Sequence, residues 1–260
     1  MITKSELQHY ASLIKRKDRE IEGKFIVEGP KSIEEGLVSH YFCEILFCTQ
    51  DFYDNAKDFF KTNMQKLKNI EVLSDQDFNK VSNTVTPQGV LGIFKKKEKK
   101  LEIGKFKQNT VLYLDCISDP GNLGTIIRTC DWFNFNEIIL SYGCTDAYSP
   151  KCVRSSMGSI FHVNVYPNQN LKVILPFLKQ SHYKIVSMDL NGENFYEHSF
   201  AGKSLIILSN EANGPSQEVI EVREKILTIP RLGKAESLNV ATAGTIVLSK
   251  AAEFTLDNEA

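Results

Sequence analysis

The chain has 260 residues, of which 42% are hydrophobic and 24% charged. This composition is ordinary for a soluble globular protein and excludes disordered, collagen-like and coiled-coil classes. The 31 basic and 32 acidic side chains leave a net charge of −1, so any nucleic-acid surface must be a local patch. No run approaches the ~18 consecutive apolar residues of a membrane span, and no membrane partner is expected. The first residues contain no apolar signal segment, which predicts a cytoplasmic location.

The six cysteines occur without a C-x-x-C pair and without a histidine at zinc-ligand spacing. Several lie in apolar runs, where a free thiol packs as a small hydrophobic group. We therefore expect buried, reduced cysteines and no metal site.

The first hundred residues predict a small α/β unit, because short apolar runs alternate with amphipathic stretches. A basic helix over Ser5–Lys17, a helix that begins after Gly29-Pro30 and a helix over Asp51–Lys61 are predicted. The predicted strands are Lys24–Glu28, Glu44–Cys48, Ile70–Leu73 and Val90–Phe94.

The composition changes at Lys95–Lys107, which holds seven lysines against two glutamates and almost no apolar pattern. We read it as a linker or hairpin edge and place a domain boundary near residue 105. Such a run is either solvated surface or a phosphate-contacting segment, because clustered lysines release counterions when they bind nucleic acid.

Beyond the linker, apolar strands alternate with helices, a pattern typical of a mostly parallel sheet with helices on both faces. The predicted strands are Val111–Leu114, Glu137–Ser141, Ile160–Val165, Lys184–Met188, Leu205–Leu208 and Ile226–Ile229. The predicted helices are Leu123–Phe133, Pro150–Met157, Leu171–Gln180, Ser216–Val222 and about Asn239–Phe254. Ligands bind such sheets beyond the carboxyl ends of the strands.

The first segment of interest there, Asp115–Arg128, is a strand, a turn with two glycines and the start of a helix. It is neither a Walker A sequence nor a dinucleotide fingerprint. Asn122 and Arg128 could face the same mouth of the sheet. Alternatively, Asn122 caps a helix and Arg128 forms a surface ion pair.

Two more segments follow strands. In Ile206–Pro215 a carboxylate, Glu211, lies just past an apolar strand, either paired with Arg128 or simply solvated. In Ile229–Ala241 either Ser237 or Asn239 can cap the last helix. The small residues Ala241, Ala243 and Gly244 would let that helix approach a neighbouring element closely.

In this order and spacing, the three segments resemble the three signature motifs of the SpoU/TrmH-type RNA ribose 2′-O-methyltransferases of the SPOUT superfamily. The stretch Asp146–Gly158 is similar to the link that follows the second strand in this family. The N-terminal unit, which contains Gly23–Pro30, resembles the substrate-binding domain that often precedes the catalytic domain.

The resemblance implies a trefoil-knot methyltransferase domain over residues 106–260, preceded over residues 1–105 by a smaller α/β domain of ribosomal-protein-like fold. The knot would form the pocket for S-adenosylmethionine. The positions that match the family's cofactor contacts are Leu208, Ser209, Ile229 and Leu238. The family usually has glycine where Ser209 and Ala212 stand; if φ were positive there, the backbone would be strained and cofactor affinity reduced.

Arg128 matches the family's catalytic arginine. Because a guanidinium is effectively always protonated, we expect it to hold an RNA phosphate and stabilise developing negative charge rather than act as base. Asn122, Glu211, Ser237 and Asn239 would form the supporting polar network. The resemblance also implies a homodimer formed through the knotted domain.

The implied activity is methylation of a ribose 2′-hydroxyl in RNA, and the accessory domain favours ribosomal RNA of the 23S type. A tRNA 2′-O-methyltransferase is an alternative within the same class. A non-catalytic RNA-binding or assembly factor on the same fold is an alternative from another class.

Overall fold

The structure is a computed structural model that describes residues 2–256, with side chains for residues 2–254. It forms two compact units. The first contains the residues up to Glu98 together with Asp146–His162, and the second contains Lys99–Thr145 and the residues from Val163 onward. The ends of the predicted domain ranges, residues 1 and 257–260, lie outside the described residues.

The first unit is built on a four-stranded sheet of order β1-β4-β2-β3. Its strands are β1 (Lys24–Glu28), β2 (Cys43–Thr49), β3 (Ile70–Leu73) and β4 (Val90–Lys95). β4 pairs antiparallel with both β1 and β2, whereas β2 and β3 are parallel. Its helices are α1 (Lys4–Ser12), α2 (Arg16–Glu22), α3 (Pro30–Val38), α4 (Gln50–Asn55), α5 (Lys57–Asn63), α6 (Asp75–Val81) and α8 (Pro150–Ser156).

The predicted single helix over Ser5–Lys17 is wrong, because the chain turns between α1 and α2. The guanidinium of Arg19 donates from Nη1 to the carbonyl oxygens of Leu13 at 2.8 Å and Ile14 at 2.7 Å. Carbonyls held by a side chain are not available to the helical ladder. The helix predicted over Asp51–Lys61 is likewise two helices, which meet at the non-helical backbone of Ala56.

The segment Asp146–His162 packs with the first unit rather than with the residues that flank it in sequence. The ring of Phe25 lies 4.8 Å from that of Tyr148 and 6.0 Å from that of Phe161, centroid to centroid. These contacts join aromatic residues that are more than 100 positions apart in the sequence. No local pattern indicates such a contact. The division of function at residue 105 stays a prediction.

The second unit is built on a six-stranded sheet of order β10-β8-β9-β5-β6-β7, in which every pair is parallel, as predicted. Its strands are β5 (Thr110–Asp115), β6 (Glu137–Ser141), β7 (Asn164–Gln169), β8 (Lys184–Asn194), β9 (Ser204–Ser209) and β10 (Lys225–Thr228). Its helices are α7 (Pro120–Trp132), α9 (Leu171–Gln180), α10 (Gln217–Val222) and α11 (Val240–Leu256). The strand predicted over Ile160–Val165 begins later, because Ser159–Phe161 forms a 3₁₀ turn.

Successive side chains of the central strands point to opposite faces of this sheet, and both faces are buried. On one face, Val111 and Ile207 join a core with Leu171 and Leu178 of α9. On the other face, Leu208 meets α11 at Gly244, where an added Cβ would lie 2.9 Å from the leucine Cδ1. The predicted close approach of the small-residue helix is therefore confirmed at Gly244.

The lysine-rich run is more than a linker. Ile103 and Phe106 are buried in the core of the second unit, so the prediction that it lacks an apolar pattern is wrong at these residues. Lys99 donates to the carbonyl oxygen of Val163 at 3.0 Å. Three further lysines stand over aromatic rings of the first unit, namely Lys95, Lys96 and Lys97. Phosphate contact by this run stays a prediction.

The cysteines are free thiols. Five are buried and Cys116 is half-buried. Burial raises the pKa of Cys43 to about 12 and that of Cys48 to about 11, so both stay protonated at neutral pH. Within residues 2–256, no group of three or more His, Cys, Asp or Glu side chains is arranged to hold a metal ion. No helix of this part combines the length and apolarity needed to cross a membrane.

Candidate active site

The candidate site lies at the carboxyl ends of β5 and β9, which are neighbouring parallel strands. β5 ends at the buried carboxylate of Asp115, whose Oδ2 accepts a hydrogen bond from the backbone N–H of Ser216 at 2.7 Å. The carbonyl of Asp115 accepts from the N–H of Asn210 at 3.1 Å. These bonds join the loops that follow the two strands, so the first two sequence segments meet at one edge of the sheet.

Asn210 ties the two loops together, and sequence reasoning missed it. Its Nδ2 donates to the carbonyl oxygen of Cys116 at 3.1 Å and to Oγ of Ser118 at 3.3 Å. Its Oδ1 accepts the backbone N–H groups of Ala212 at 2.9 Å and Asn213 at 3.2 Å. The signal was an asparagine directly after a buried strand, where such side chains organise turns.

Three of the predicted site residues form one hydrogen-bonded chain. Asn122, in the first turn of α7, donates from Nδ2 to Oε1 of Glu211 at 3.1 Å. Its Oδ1 accepts from Nδ2 of Asn239 at 2.9 Å. These two bonds fix the orientation of the Asn122 amide, because one end must donate and the other accept. Residues from all three motifs are thus brought together.

Asn239 also caps the terminal helix. Its Oδ1 accepts the backbone N–H groups of Ala241 at 3.0 Å and Thr242 at 3.3 Å. Asn239 therefore both caps α11 and hydrogen-bonds to Asn122. Ser237 is exposed and makes no hydrogen bond within the described part of the chain. The cap of α7 is Asp119, whose Oδ1 accepts the N–H of Asn122, so Asn122 itself is not the cap.

Arg128 stands apart from this chain of amides and carboxylate. It is exposed on α7, and six residues along a helix place it roughly 9 Å from Asn122 along the axis and about 120° around it. It forms no hydrogen bond or ion pair with any described residue. The predicted pairing of Arg128 with Glu211 is therefore wrong: the carboxylate of Glu211 accepts from Asn122, and Arg128 lies six residues further along α7.

Of the four residues matched to cofactor contacts, Leu208 and Ser209 are the last two residues of β9, whereas Ile229 and Leu238 follow β10. Leu208 is buried, whereas Leu238 is 43% exposed and Ile229 directly follows β10. The hydroxyl Oγ of Ser209 is buried and has no hydrogen-bond partner among the described residues. Neither Ser209 nor Ala212 has a positive φ, so the strain considered for these two positions does not arise.

The first loop carries a thiol at its start. Cys116 has φ of 56°, an unusual value for a residue with a side chain, and its N–H donates to Oγ of Ser141 at 2.8 Å. Burial raises the pKa of this thiol, with Asp115 adding to the shift. The thiol therefore stays protonated at neutral pH and offers no nucleophile at this edge of the sheet.

Two family models match the chain. The model of the SpoU rRNA Methylase family matches residues 109–249, and the model of the MRM3-like substrate binding domain matches residues 4–92. The first covers the three motifs described above. The second covers most of the first unit.

Known proteins resemble the chain over nearly its whole length. It is 31% identical to the 23S rRNA (guanosine(2553)-2′-O)-methyltransferase RlmP of Bacillus subtilis, over 94% of both chains. A solved Porphyromonas gingivalis structure assigned to the TrmH family of RNA methyltransferases has a TM-score of 0.82 and 31% identity, covering 96% of this chain and 98% of that one. An AdoMet-bound rRNA methyltransferase from Sinorhizobium meliloti has a TM-score of 0.82 and 26% identity, covering 97% and 96%.

The three motifs, the parallel sheet and the substrate-binding domain that precedes it all indicate the same family. The sequence resemblance to SpoU/TrmH-type enzymes is confirmed by the family model and by these relatives. The chain is an RNA methyltransferase that belongs to the SpoU rRNA Methylase family.

Proposed function

We propose that this enzyme transfers the methyl group of S-adenosylmethionine to a ribose 2′-hydroxyl of ribosomal RNA, at the edge of the sheet where β5 and β9 end. The observation that carries this proposal is the Asn239–Asn122–Glu211 chain, because it joins one polar residue from each motif. The ribosomal RNA methyltransferase from Bacillus subtilis, similar over 94% of both chains, supports the choice of substrate.

The residues around the carboxyl end of β9 fit the cofactor. The buried Oγ of Ser209 has an unused hydrogen-bonding capacity within the described residues, which a polar ligand group would satisfy. Leu238 offers exposed apolar surface for an aromatic base. We assign Leu208, Ser209, Ile229 and Leu238 to cofactor binding. S-adenosylmethionine would supply an electrophilic methyl group on a sulfonium, a transfer that needs no metal.

Arg128 is the residue that we assign to charge stabilisation. Its guanidinium is exposed and has no partner within residues 2–256, so it is available to an RNA phosphate. A permanently protonated group cannot accept the proton of the attacking hydroxyl. Its role is therefore to hold the substrate and to stabilise negative charge as it develops on the ribose oxygen.

The network residues position the motifs. Asn122 is fixed between a donor and a carboxylate, and Asn239 links it to the start of α11. Holding reacting groups in line is the main contribution an enzyme can make to a methyl transfer. Ser237 lies two residues before Asn239 in the same exposed segment, and we include it as a substrate-facing hydroxyl.

Replacement of Asn122 by aspartate tests this positioning role. The new carboxylate would face Glu211 and lose the amide donor, so we expect kcat to fall about 100-fold, the loss typical of a small misplacement. Asn170→Asp makes the same chemical change at the N-cap of α9, where aspartate caps equally well, and should leave kcat unchanged. Equal turnover of the two variants would show that Asn122 does not position the reacting groups.

A homodimer formed through the second unit is part of the proposal. Trp132, at the end of α7, is 83% exposed and Tyr142, after β6, is 62% exposed. Large aromatic side chains at the surface are enriched in protein interfaces. The same family membership leads us to propose a trefoil knot in this unit. The free thiols suit a reducing compartment, and we place the enzyme in the cytoplasm.

The function is tested by methyl transfer to defined RNA. The enzyme is incubated with S-adenosylmethionine carrying a labelled methyl group and with either unmodified ribosomal RNA or tRNA, and 2′-O-methyl positions are mapped. We expect label on one ribose of ribosomal RNA. Label confined to tRNA would overturn the substrate class. If calorimetry detects no binding of S-adenosylmethionine, a non-catalytic RNA-binding factor is favoured instead.

A further inference from the structure

A groove in the first unit lies outside the candidate active site. It opens between the start of α3, the loop after α6 and the end of α8, and its volume is about 640 Å³. This volume falls within the range of roughly 300–1,000 Å³ that holds small ligands, and it exceeds the needs of a single small anion. All the residues that line it belong to the same compact unit.

Two cations line the groove, and one of them has an unused donor. Lys31 is exposed at the start of α3. Arg154, on α8, places its Nη1 in the interior, where it has no hydrogen-bond partner among the described residues. A buried guanidinium N–H without an acceptor is costly, and an anionic oxygen is the partner that such a group prefers. An anion in the groove would supply an acceptor for this guanidinium.

The start of α3 adds to the preference for an anion. The helix begins after Gly29, whose φ is +94°, with Pro30 in the first turn and with no side chain capping it. The N–H groups of Lys31 and Ser32 consequently have no side-chain partner within the described chain. Free N–H groups and the helix dipole at this end attract negative charge. The positive φ requires glycine at this position, because residues with a side chain rarely adopt that backbone conformation.

Among the described residues, one acidic side chain lines the groove, and it already has hydrogen-bond partners. The carboxylate of Glu28 accepts hydrogen bonds from Oγ of Ser82 at 2.9 Å, the N–H of Asn83 at 2.7 Å and Oγ1 of Thr84 at 3.0 Å. It thereby holds the loop after α6 to β1. With Lys31 and Arg154, the lining carries a net positive charge before the helix is counted.

We propose that this groove binds a backbone phosphate of the RNA substrate, with Arg154 and Lys31 as its two charged contacts. The inference rests on the proposed function, which requires that RNA contact the protein beyond the reacting ribose. The adjoining nucleoside would occupy the rest of the groove beside Val85, a fully exposed apolar side chain of the loop. A phosphate contact here fixes the register of the RNA and reads no base.

The test uses the full chain with Arg154→Gln, Lys31→Gln and the double variant. The matched control is Lys61→Gln, which removes an exposed lysine of α5 outside the groove. RNA affinity is measured from 50 to 300 mM salt. Because both side chains contact the same phosphate, the double variant should reduce the magnitude of the slope of log K against log salt by roughly 0.7 to 0.9. Each single variant should reduce it by no more than that, while the control keeps the wild-type slope. The kcat at saturating RNA and the affinity for S-adenosylmethionine should not change.

The outcomes separate the groove from the reaction. If the two single variants and the double variant keep the wild-type affinity and slope while the wild type methylates RNA, the groove does not bind the RNA phosphate. The proposed function is then unaffected. If the slopes of the variants fall in magnitude but the wild type transfers no methyl group, the groove binds RNA phosphate and the proposed methyltransferase function is refuted. Saturable binding of free AMP that Arg154→Gln abolishes, with RNA affinity unchanged, would assign the groove to a free nucleotide and overturn the proposal. Because Lys31 is exposed, its variant remains informative even if Arg154→Gln impairs folding.

Discussion

Replacing Arg128 with alanine should lower the rate of methyl transfer by roughly 100- to 1,000-fold, the effect typical of removing one charge-stabilising donor. The fold should be unaffected, because Arg128 is exposed and makes no hydrogen bond or ion pair within the described chain. Affinity for S-adenosylmethionine should also persist, since the proposed cofactor residues lie at the end of β9 and after β10 and not on α7. The measurements are single-turnover rates at saturating RNA and cofactor, together with calorimetry for the cofactor.

Lys179→Ala is the matched control for Arg128→Ala. It removes an exposed cation from α9, where its partner is Glu224 at 3.4 Å, and should leave the rate unchanged. Arg128→Lys should recover little activity, because an ammonium cannot present the planar pair of donors that a guanidinium offers to phosphate. Near-wild-type turnover of Arg128→Ala at saturating substrates would show that the arginine does not act in the chemical step.

Replacing Asp146 with alanine should destabilise the protein by about 3–5 kcal/mol, the cost of leaving one member of a buried ion pair without its partner. Its Oδ2 accepts from Nε of Arg19 at 2.8 Å and from Nη2 at 2.7 Å. The Arg19 side chain is 3% exposed and that of Asp146 is 12% exposed, so water cannot replace the lost carboxylate. Urea unfolding followed by circular dichroism measures the loss.

Glu20→Ala is the control for the buried pair. Glu20 accepts from Nε of Arg16 at 2.7 Å, but both side chains are about half exposed, and such surface pairs contribute roughly 0–1 kcal/mol. We therefore expect the unfolding midpoint of Glu20→Ala to stay close to that of the wild type. If Asp146→Ala cost no more than Glu20→Ala, the ion pair would not be what holds Asp146–His162 to the first unit.

The sequence by itself determined the parallel sheet, the order of its strands along the chain and the three motifs. Those features depend on local patterns, because an apolar run, a turn residue and a capping residue act on their own neighbours. The close approach of the terminal helix at Gly244 was also readable, since small residues permit it wherever the partner lies. The Asn239 cap is equally local.

The partners of polar groups were decided only by the tertiary structure. Glu211 hydrogen-bonds to Asn122, which lies 89 residues before it in sequence, and not to Arg128. The reason is that α7 presents its first turn and not its middle to the loop after β9. Arg19 meets Asp146, 127 residues away, and splits a predicted helix by holding the carbonyls between its two halves. Each of these groups has several chemically equivalent partners in the sequence. Which of them comes within hydrogen-bonding distance depends on how distant elements pack, and no local spacing records that.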